Sequence, residues 1–183
     1  ALKKYIILML ILSSLVSAQS SPKHEFRAAW ISTAWRLDFP RSNWSTAAMQ
    51  SEIIQMMDSL KNNGFNAIIF QVRPGGDAFY NSAYEPWSHE LTGTSGAAPS
   101  PFFDPLQSWI EAAHTRNMEI HAWFNPYRVT TSGSPGSLHS SHVYHQHPEW
   151  LLTVGSMAGA GRDEFAHDPS SGARDLRESL ILD

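Results

Sequence analysis

The chain has 183 residues, with 13 Lys and Arg against 17 Asp and Glu, a net charge of −4 and a pI near 6.1. After Lys3 and Lys4 it has no run of basic residues, which excludes the basic footprint that nucleic-acid phosphates require. Charged residues make up 16% and aromatics 11%, with seven Trp and no Cys, so the balance favours an uncharged, stackable ligand over a phosphorylated one and excludes disulfides.

In chain order, Lys3-Lys4, the apolar stretch Tyr5 to Val16 and the small residues Val16-Ser17-Ala18 read as a secretory signal peptide over residues 1–18, cleaved before Gln19. The apolar stretch falls short of the roughly 20 residues that span a bilayer; the alternative is an uncleaved anchor. Together with the absence of Cys, this predicts a secreted or periplasmic bacterial protein. Residues 19–24 form a short linker, and one domain is expected over residues 25–183. Phe26–Ile31 is the first candidate strand. Ser45 can cap a helix whose apolar positions are Met49, Ile53, Met56, Met57 and Leu60. Asn62-Asn63-Gly64 ends it, with Gly64 suited to a left-handed conformation.

The second strand starts at Ala67 and runs into Gln71-Val72-Arg73-Pro74-Gly75-Gly76-Asp77. A near-continuous apolar run of this kind is the mark of a parallel strand covered on both faces. The loop from Pro74 to Phe103 is too rich in Gly, Pro and Ser to be regular, and its aromatic residues argue against disorder. Asp104-Pro105 opens a second helix, with Leu106, Trp109, Ile110 and Ala113 as its buried stripe. A third strand spans Met118 to about Phe124, followed by a long loop from Asn125 to Ala166. Asp168-Pro169 then opens a last helix marked by Ala173, Leu176 and Leu180.

Strand and helix alternate, with long loops after the second and third strands and short links after the first two helices. This is the pattern of an α/β fold, the N-terminal part (about three β/α units) of a (β/α)8 TIM barrel. A doubly wound sheet fits the same order, but no glycine-rich phosphate fingerprint follows the first strand. Such barrels typically take about 250 residues, so the chain is expected to be truncated.

Several words recur together: Phe26-Arg27-Ala28-Ala29-Trp30-Ile31, Gln71 to Ala78, Pro86-Trp87-Ser88, Leu91-Thr92-Gly93, Asp104-Pro105-Leu106 and His121-Ala122-Trp123-Phe124-Asn125-Pro126-Tyr127-Arg128. In this order and spacing they resemble glycoside-hydrolase-like family 10, over about residues 25–183. The resemblance implies a (β/α)8 barrel, export and hydrolysis of a glycosidic bond. It also implies the substrate of a family that includes a cell-division glycosidase acting on peptidoglycan. Members continue into a fourth strand carrying an Asp-Gly-Ile-His-Phe-Asp-Asp-type motif, which this chain does not reach. His167-Asp168-Pro169-Ser170 also departs from the Pro-Gly turn usual ahead of the third helix.

Glycoside hydrolysis generally uses two carboxyl groups. Asp77, just past the second strand and beside Arg73, is the catalytic candidate here; the alternative is a loop Asp that turns the Gly75-Gly76 backbone and pairs with Arg73. The main acids are expected beyond Asp183. Asp104 and Asp168 are helix caps. Gln71 and Arg73 alternate with Val72 and share a side, either facing a sugar at the mouth or forming a buried network. His121, Trp123 and Asn125 share a side of the third strand, with Tyr127 and Arg128 beyond; Trp and Tyr can stack on a pyranose while His and Asn supply hydrogen bonds. Tyr80 and Trp87 can wall the cleft, with Tyr84, or anchor the loop.

His139, His142, His145 and His147 have spacings that can converge on a metal, yet the segment is a Ser- and Gly-rich loop whose nearest acid is Glu149. No metal and no cofactor are assigned. The expected function is an exported glycoside hydrolase acting on peptidoglycan or a related polysaccharide, active in its full-length form. The expected partner is that glycan, with no nucleic acid and no membrane after signal cleavage. The alternatives are a carbohydrate-binding protein without catalysis on the same scaffold, or an inactive fragment.

Overall fold

The computed structural model describes residues 25–130, 135–154 and 164–167. The expected signal peptide, the linker 19–24 and the last helix lie outside the described residues. Strand β1 (Ala28–Ile31) leads through a 3-10 turn at Ala34–Arg36 to helix α1 (Thr46–Asn62) and strand β2 (Ala67–Arg73). A long loop holding the short helix α2 (His89–Thr92) follows, then helix α3 (Pro105–His114) and strand β3 (Glu119–Phe124). The three strands form one parallel sheet in the order β1-β2-β3. The arrangement is α/β, with a β/α alternation compatible with part of a larger repeat of such units.

The segment after β3 differs from the irregular loop expected over Asn125 to Ala166. It contains the short helix α4 (Val143–Gln146) and an antiparallel pair, β4 (Leu151–Val154) with β5 (Glu164–His167). Leu151-Leu152-Thr153-Val154 is rich in β-branched and apolar residues, a strand signal that the Gly and Ser around it hid. β1 is also shorter than expected. Phe26 and Arg27 precede it, and Arg27 donates from Nε to the Gly64 carbonyl at 2.6 Å.

The polar punctuation of α1 and α3 explains their limits. Asp104 caps α3, accepting from the Gln107 amide at 3.1 Å, with Pro105 in the first turn. Its second oxygen accepts from the Asn81 amide at 2.8 Å, so the cap also anchors the preceding loop. Ser45 holds the N-cap position of α1, but its side chain makes no capping bond. Instead Glu52 reaches back to the Arg41 and Ser42 amides, at 2.8 and 3.1 Å, and fixes the approach of the chain. At the other end, the Gly64 amide donates to the Lys61 carbonyl and the Phe65 amide to the Leu60 carbonyl. This is the paired C-terminal motif that a left-handed residue permits.

The core lies between the sheet and the two long helices. Ile68, Phe70 and Val72 of β2 pack with Met49, Ile53 and Met57 of α1 and with Trp109, Ala112 and Ala113 of α3. Phe39 and Phe79, from the loops after β1 and β2, close the cluster; the Phe70 and Trp109 rings lie 5.0 Å apart and Phe39 and Trp109 5.4 Å. The opposite face carries Trp30, Ile69 and His121 in register, with Trp123 beside Gln71. Trp30 is 62% exposed there, its ring edge-on to Trp123 at 5.0 Å. No helix among the described residues is long and apolar enough to cross a membrane.

Gly64 has φ +81°, and a Cβ there would meet nothing within 4 Å. Gly64→Ala therefore isolates the backbone cost: unfolding by urea is expected to show a loss of about 1 kcal/mol with an unchanged m-value.

Candidate functional site

The geometry at the C-terminal ends of the strands depends on an irregularity in the β2–β3 pairing. Gln71 lies beside Trp123, but Arg73 lies beside Phe124, so Val72 is an extra residue in β2. A bulge of this kind re-aims side chains at a strand end. It brings Arg73 against the turn that leaves β3, where the Asn125 amide donates to the Arg73 carbonyl at 3.0 Å and Arg73 Nη1 donates to the Asn125 carbonyl at 2.6 Å.

The rest of the Arg73 guanidinium is taken by an acid that sequence reasoning passed over. Nε and Nη2 both donate to Glu85 Oε1, at 2.7 and 2.6 Å. Both side chains are buried, and Glu85 Oε2 has no hydrogen-bond partner among the described residues. Burial pushes the Glu85 carboxyl above the usual carboxylate range, while Arg73 opposes that rise. A signal was available. Between Pro74 and Phe103 the chain has Asp77, Glu85 and Glu90 but no Lys or Arg, so an acid folded inward there finds no such partner within its own loop, and Arg73 just before the loop is the nearest one in sequence. Glu90, also missed, is buried and accepts from the Trp35 amide at 3.2 Å.

Asp77 is 5% exposed and accepts from the Gly75 amide at 3.2 Å, closing the Gly75-Gly76 turn. Burial raises its pKa, against the opposing pull of a Ser88 hydrogen bond and of the His89 and Arg73 charges. A rise is the direction that a general acid for a glycosidic oxygen needs. Asp77 turns the Gly75-Gly76 backbone as the alternative had it, but the Arg73 guanidinium pairs with Glu85 and not with Asp77.

Gln71 and Arg73 form the buried network rather than facing an open mouth. Gln71 is fully buried, and its Oε1 accepts from the Thr33 and Ala34 amides at 2.9 Å each and from Ser32 Oγ at 3.1 Å. Two backbone donors fix which amide atom is oxygen, and leave Nε2 buried without a hydrogen-bond partner among the described residues. Trp123 Nε1 donates to Asn125 Oδ1 at 2.8 Å, and Asn125 Nδ2 donates to the Pro74 carbonyl at 3.1 Å. Asn125 is therefore the hinge between β3 and the loop after β2.

The remaining candidates separate. Tyr127 is exposed, and the Arg128 guanidinium lies over the Trp35 ring, 5.1 Å from its centroid. Tyr80 and Trp87 are half-buried against the core, with the Trp87 ring edge-on to Phe102 at 6.1 Å. Burial and the Glu85 charge raise the Tyr80 pKa. His121 stays apart from the strand ends: it pairs with Ile69 in mid-sheet and contacts Glu119 at 3.1 Å and the Phe26 ring edge.

The four spaced histidines do different structural jobs. The His139 amide is held by Ser95 Oγ at 3.0 Å, docking this loop on the one after β2. His147 stacks on Trp150 at 3.6 Å and pairs with Glu149. His145 lies edge-on to Tyr144. His142 is buried, caps α4 by accepting from the Tyr144 amide at 3.1 Å, and lies on Gly76, where a Cβ would come within 2.8 Å of its Cε1. Gly76 is thus the residue that allows the two loops to meet.

Two stability predictions follow from these buried groups, both read in the complete protein carrying this sequence. Arg73→Met leaves the Glu85 carboxylate buried and unpaired, and is expected to cost about 3–5 kcal/mol in urea unfolding; a combined Arg73→Met, Glu85→Leu variant should cost clearly less than the single change. Burial and the Arg73 charge lower the His142 pKa from 6.5 to about 3. The unfolded chain takes up a proton that the folded chain refuses, so the His142 contribution is complete above pH 6.5 and falls by about 1.4 kcal/mol per unit below it. The raised carboxyls of Asp77 and Glu85 act in the opposite direction. Comparison with His142→Asn, which keeps a capping side chain, isolates the term: the wild-type advantage should shrink by about 2 kcal/mol between pH 6.5 and pH 5.

Comparison with known proteins places these residues. The glycosyl hydrolase-like 10 family matches the chain over residues 25–180, as the sequence words indicated. The chain is 40% identical over 142 residues to the glycosyl hydrolase YngK of Bacillus subtilis (strain 168), covering 76% of this chain and 28% of that protein. It is 38% identical over 160 residues to the glycosyl hydrolase DigH of Escherichia coli (strain K12), covering 78% of this chain and 34% of that protein. The chain thus spans about a third or less of the length of these curated relatives. With the family matched over most of its residues, and with relatives this similar, the chain belongs to the glycosyl hydrolase-like 10 family.

Proposed function

We propose that the complete protein carrying this chain is an exported glycoside hydrolase acting on bacterial cell-wall glycan, peptidoglycan or a related polysaccharide. In this reading the chain supplies the first β/α units of a (β/α)8 barrel. One observation carries the proposal: in a member of a glycosyl hydrolase-like family, the loops after β2 and β3 meet at one end of the parallel sheet around Arg73, Glu85, Trp123 and Asn125, and Gln71 and Glu90 hold the turn after β1 at the same end. That end is where barrel enzymes keep their chemistry.

The sheet face turned away from the helices supports the barrel. Parallel strands are normally covered on both sides, and a face presenting Trp30, Ile69, His121 and Trp123 is one that further strands would close. Within such a barrel Trp123 offers a stacking surface for a sugar. Asn125 and Arg73 hold the loops that border it. Asp77 is the acid in the chain best placed to take part, with the principal pair supplied by later strands. Export rests on the signal-like residues 1–18.

A second reading, a carbohydrate-binding protein without catalysis, draws on one feature: Glu85 and Asp77 are both buried and engaged by their own loop. One assay separates the two. The complete protein should release reducing ends from purified glycan strands. Binding without release favours the second reading. No release and no binding with peptidoglycan, strands stripped of peptides and common polysaccharides would remove both.

A further inference from the structure

Strand β1 ends at Ile31, and the next residues are held from two other elements. Gln71 Oε1, from β2, gathers the Thr33 and Ala34 amides, and Thr33 Oγ1 donates to the Gln71 carbonyl at 2.9 Å. Glu90, from α2, takes the Trp35 amide. Between these clamps Trp35 and Arg36 adopt φ values of 53° and 55°. For residues with bulky side chains that region is unfavourable, typically by about 1–3 kcal/mol each. Arg36 is secured further on: Nε donates to the Pro40 carbonyl at 2.8 Å, Nη2 donates to the Ser42 carbonyl, and the guanidinium lies over the Trp44 ring.

The strained turn places the Trp35 indole at the C-terminal end of the sheet, 37% exposed, rather than in the core. An indole buried in the core would return free energy through apolar burial; this one is turned toward water at a cost in backbone strain. Such an outlier is the kind of feature that marks a ligand-contacting position. Arg128, from the loop after β3, reaches across to lie over the same ring. Among the described residues Arg128 has no carboxylate partner, whereas Arg27, Arg73 and Arg116 each have one. Among the described residues its planar fork is placed against the indole, and guanidinium is the group that binds a carboxylate through two parallel hydrogen bonds.

We infer that Trp35 and Arg128 form a subsite for a carboxylate-bearing pyranose, the indole contacting the sugar ring and the guanidinium its acid group. The inference rests on the glycan reading above and narrows it. Composition favours an uncharged ligand; the guanidinium of Arg128, without a carboxylate among the described residues, selects an acidic sugar instead. The carboxylate can come from a lactyl ether, as on muramic acid, or from a uronic acid.

The test is calorimetric titration of the complete protein with three oligosaccharides: a peptide-free muramic-acid glycan, the same glycan with its carboxylates amidated, and an oligouronate. The wild type should bind one of the acidic probes at least about tenfold more tightly than the amidated one. Arg128→Gln should abolish that preference, and Arg128→Lys should retain part of it. Trp35→Asn keeps a residue that tolerates the left-handed backbone and should weaken all three by about tenfold without lowering the melting temperature. Whichever acid is preferred identifies the source of the carboxylate. Equal binding of free-acid and amidated probes, or a preference that survives Arg128→Gln, overturns the subsite and leaves the glycan reading standing. Absence of binding to every probe overturns both.

Discussion

A single guanidinium joins three parts of this molecule. Arg73 sits at the end of the central strand, almost without water, and divides its donors between Glu85 of the following loop and the Asn125 carbonyl at the exit of β3. Burying that charge is tolerable because each guanidinium nitrogen meets a fixed acceptor. The ion pair need not add net stability, since an apolar pair of the same shape often folds as well or better. What it imposes is position. With the charge inside, the loop after β2 and the turn after β3 must stand where they do.

The same economy of polar groups governs the surrounding loops. Gln71 collects amides from the turn after β1, Glu90 takes one more from the same turn, Asn125 ties Trp123 to the Pro74 carbonyl, and Asp104 serves α3 and the preceding loop together. Long loops without regular hydrogen bonding leave backbone groups to satisfy, and a few buried side chains with several acceptor sites satisfy them. The loops at this end of the sheet are therefore braced elements of the fold, and on their outer side Trp35 and Tyr127 are exposed. His142 belongs to this bracing as well: it stays neutral because it is buried beside the Arg73 charge, and its ring fills the space that Gly76 vacates.

The order of elements was legible because it rests on short-range chemistry. Asp104-Pro105 caps α3 and Gly64 ends α1 at the expected residues, and Met49, Ile53 and Met57 face the core at the spacing that a helix requires. The family words could be read for the same reason, since they are unbroken stretches of chain. The β4–β5 pair escaped because its two halves are separated in sequence and each is only four residues long. Glu85 and Glu90 escaped because nothing adjacent to them in sequence marks them as buried; only the charge of Arg73, twelve residues before Glu85, and the amide of Trp35 across the sheet end give them partners.

By itself, then, the sequence determined the three parallel strands and the two long helices between them, the long loops at one end, and which family the chain joins. Tertiary structure alone decided which polar side chains at that end are structural and which are available. An extra residue in β2 turned Arg73 toward Glu85, Gln71 went to neighbouring amides, and Trp35, unremarkable in sequence, came to lie against Arg128. The physical reason is that a strand's alternation fixes only the side a residue takes. Whether that side meets water, a carboxylate or a backbone amide depends on chain segments dozens of residues away.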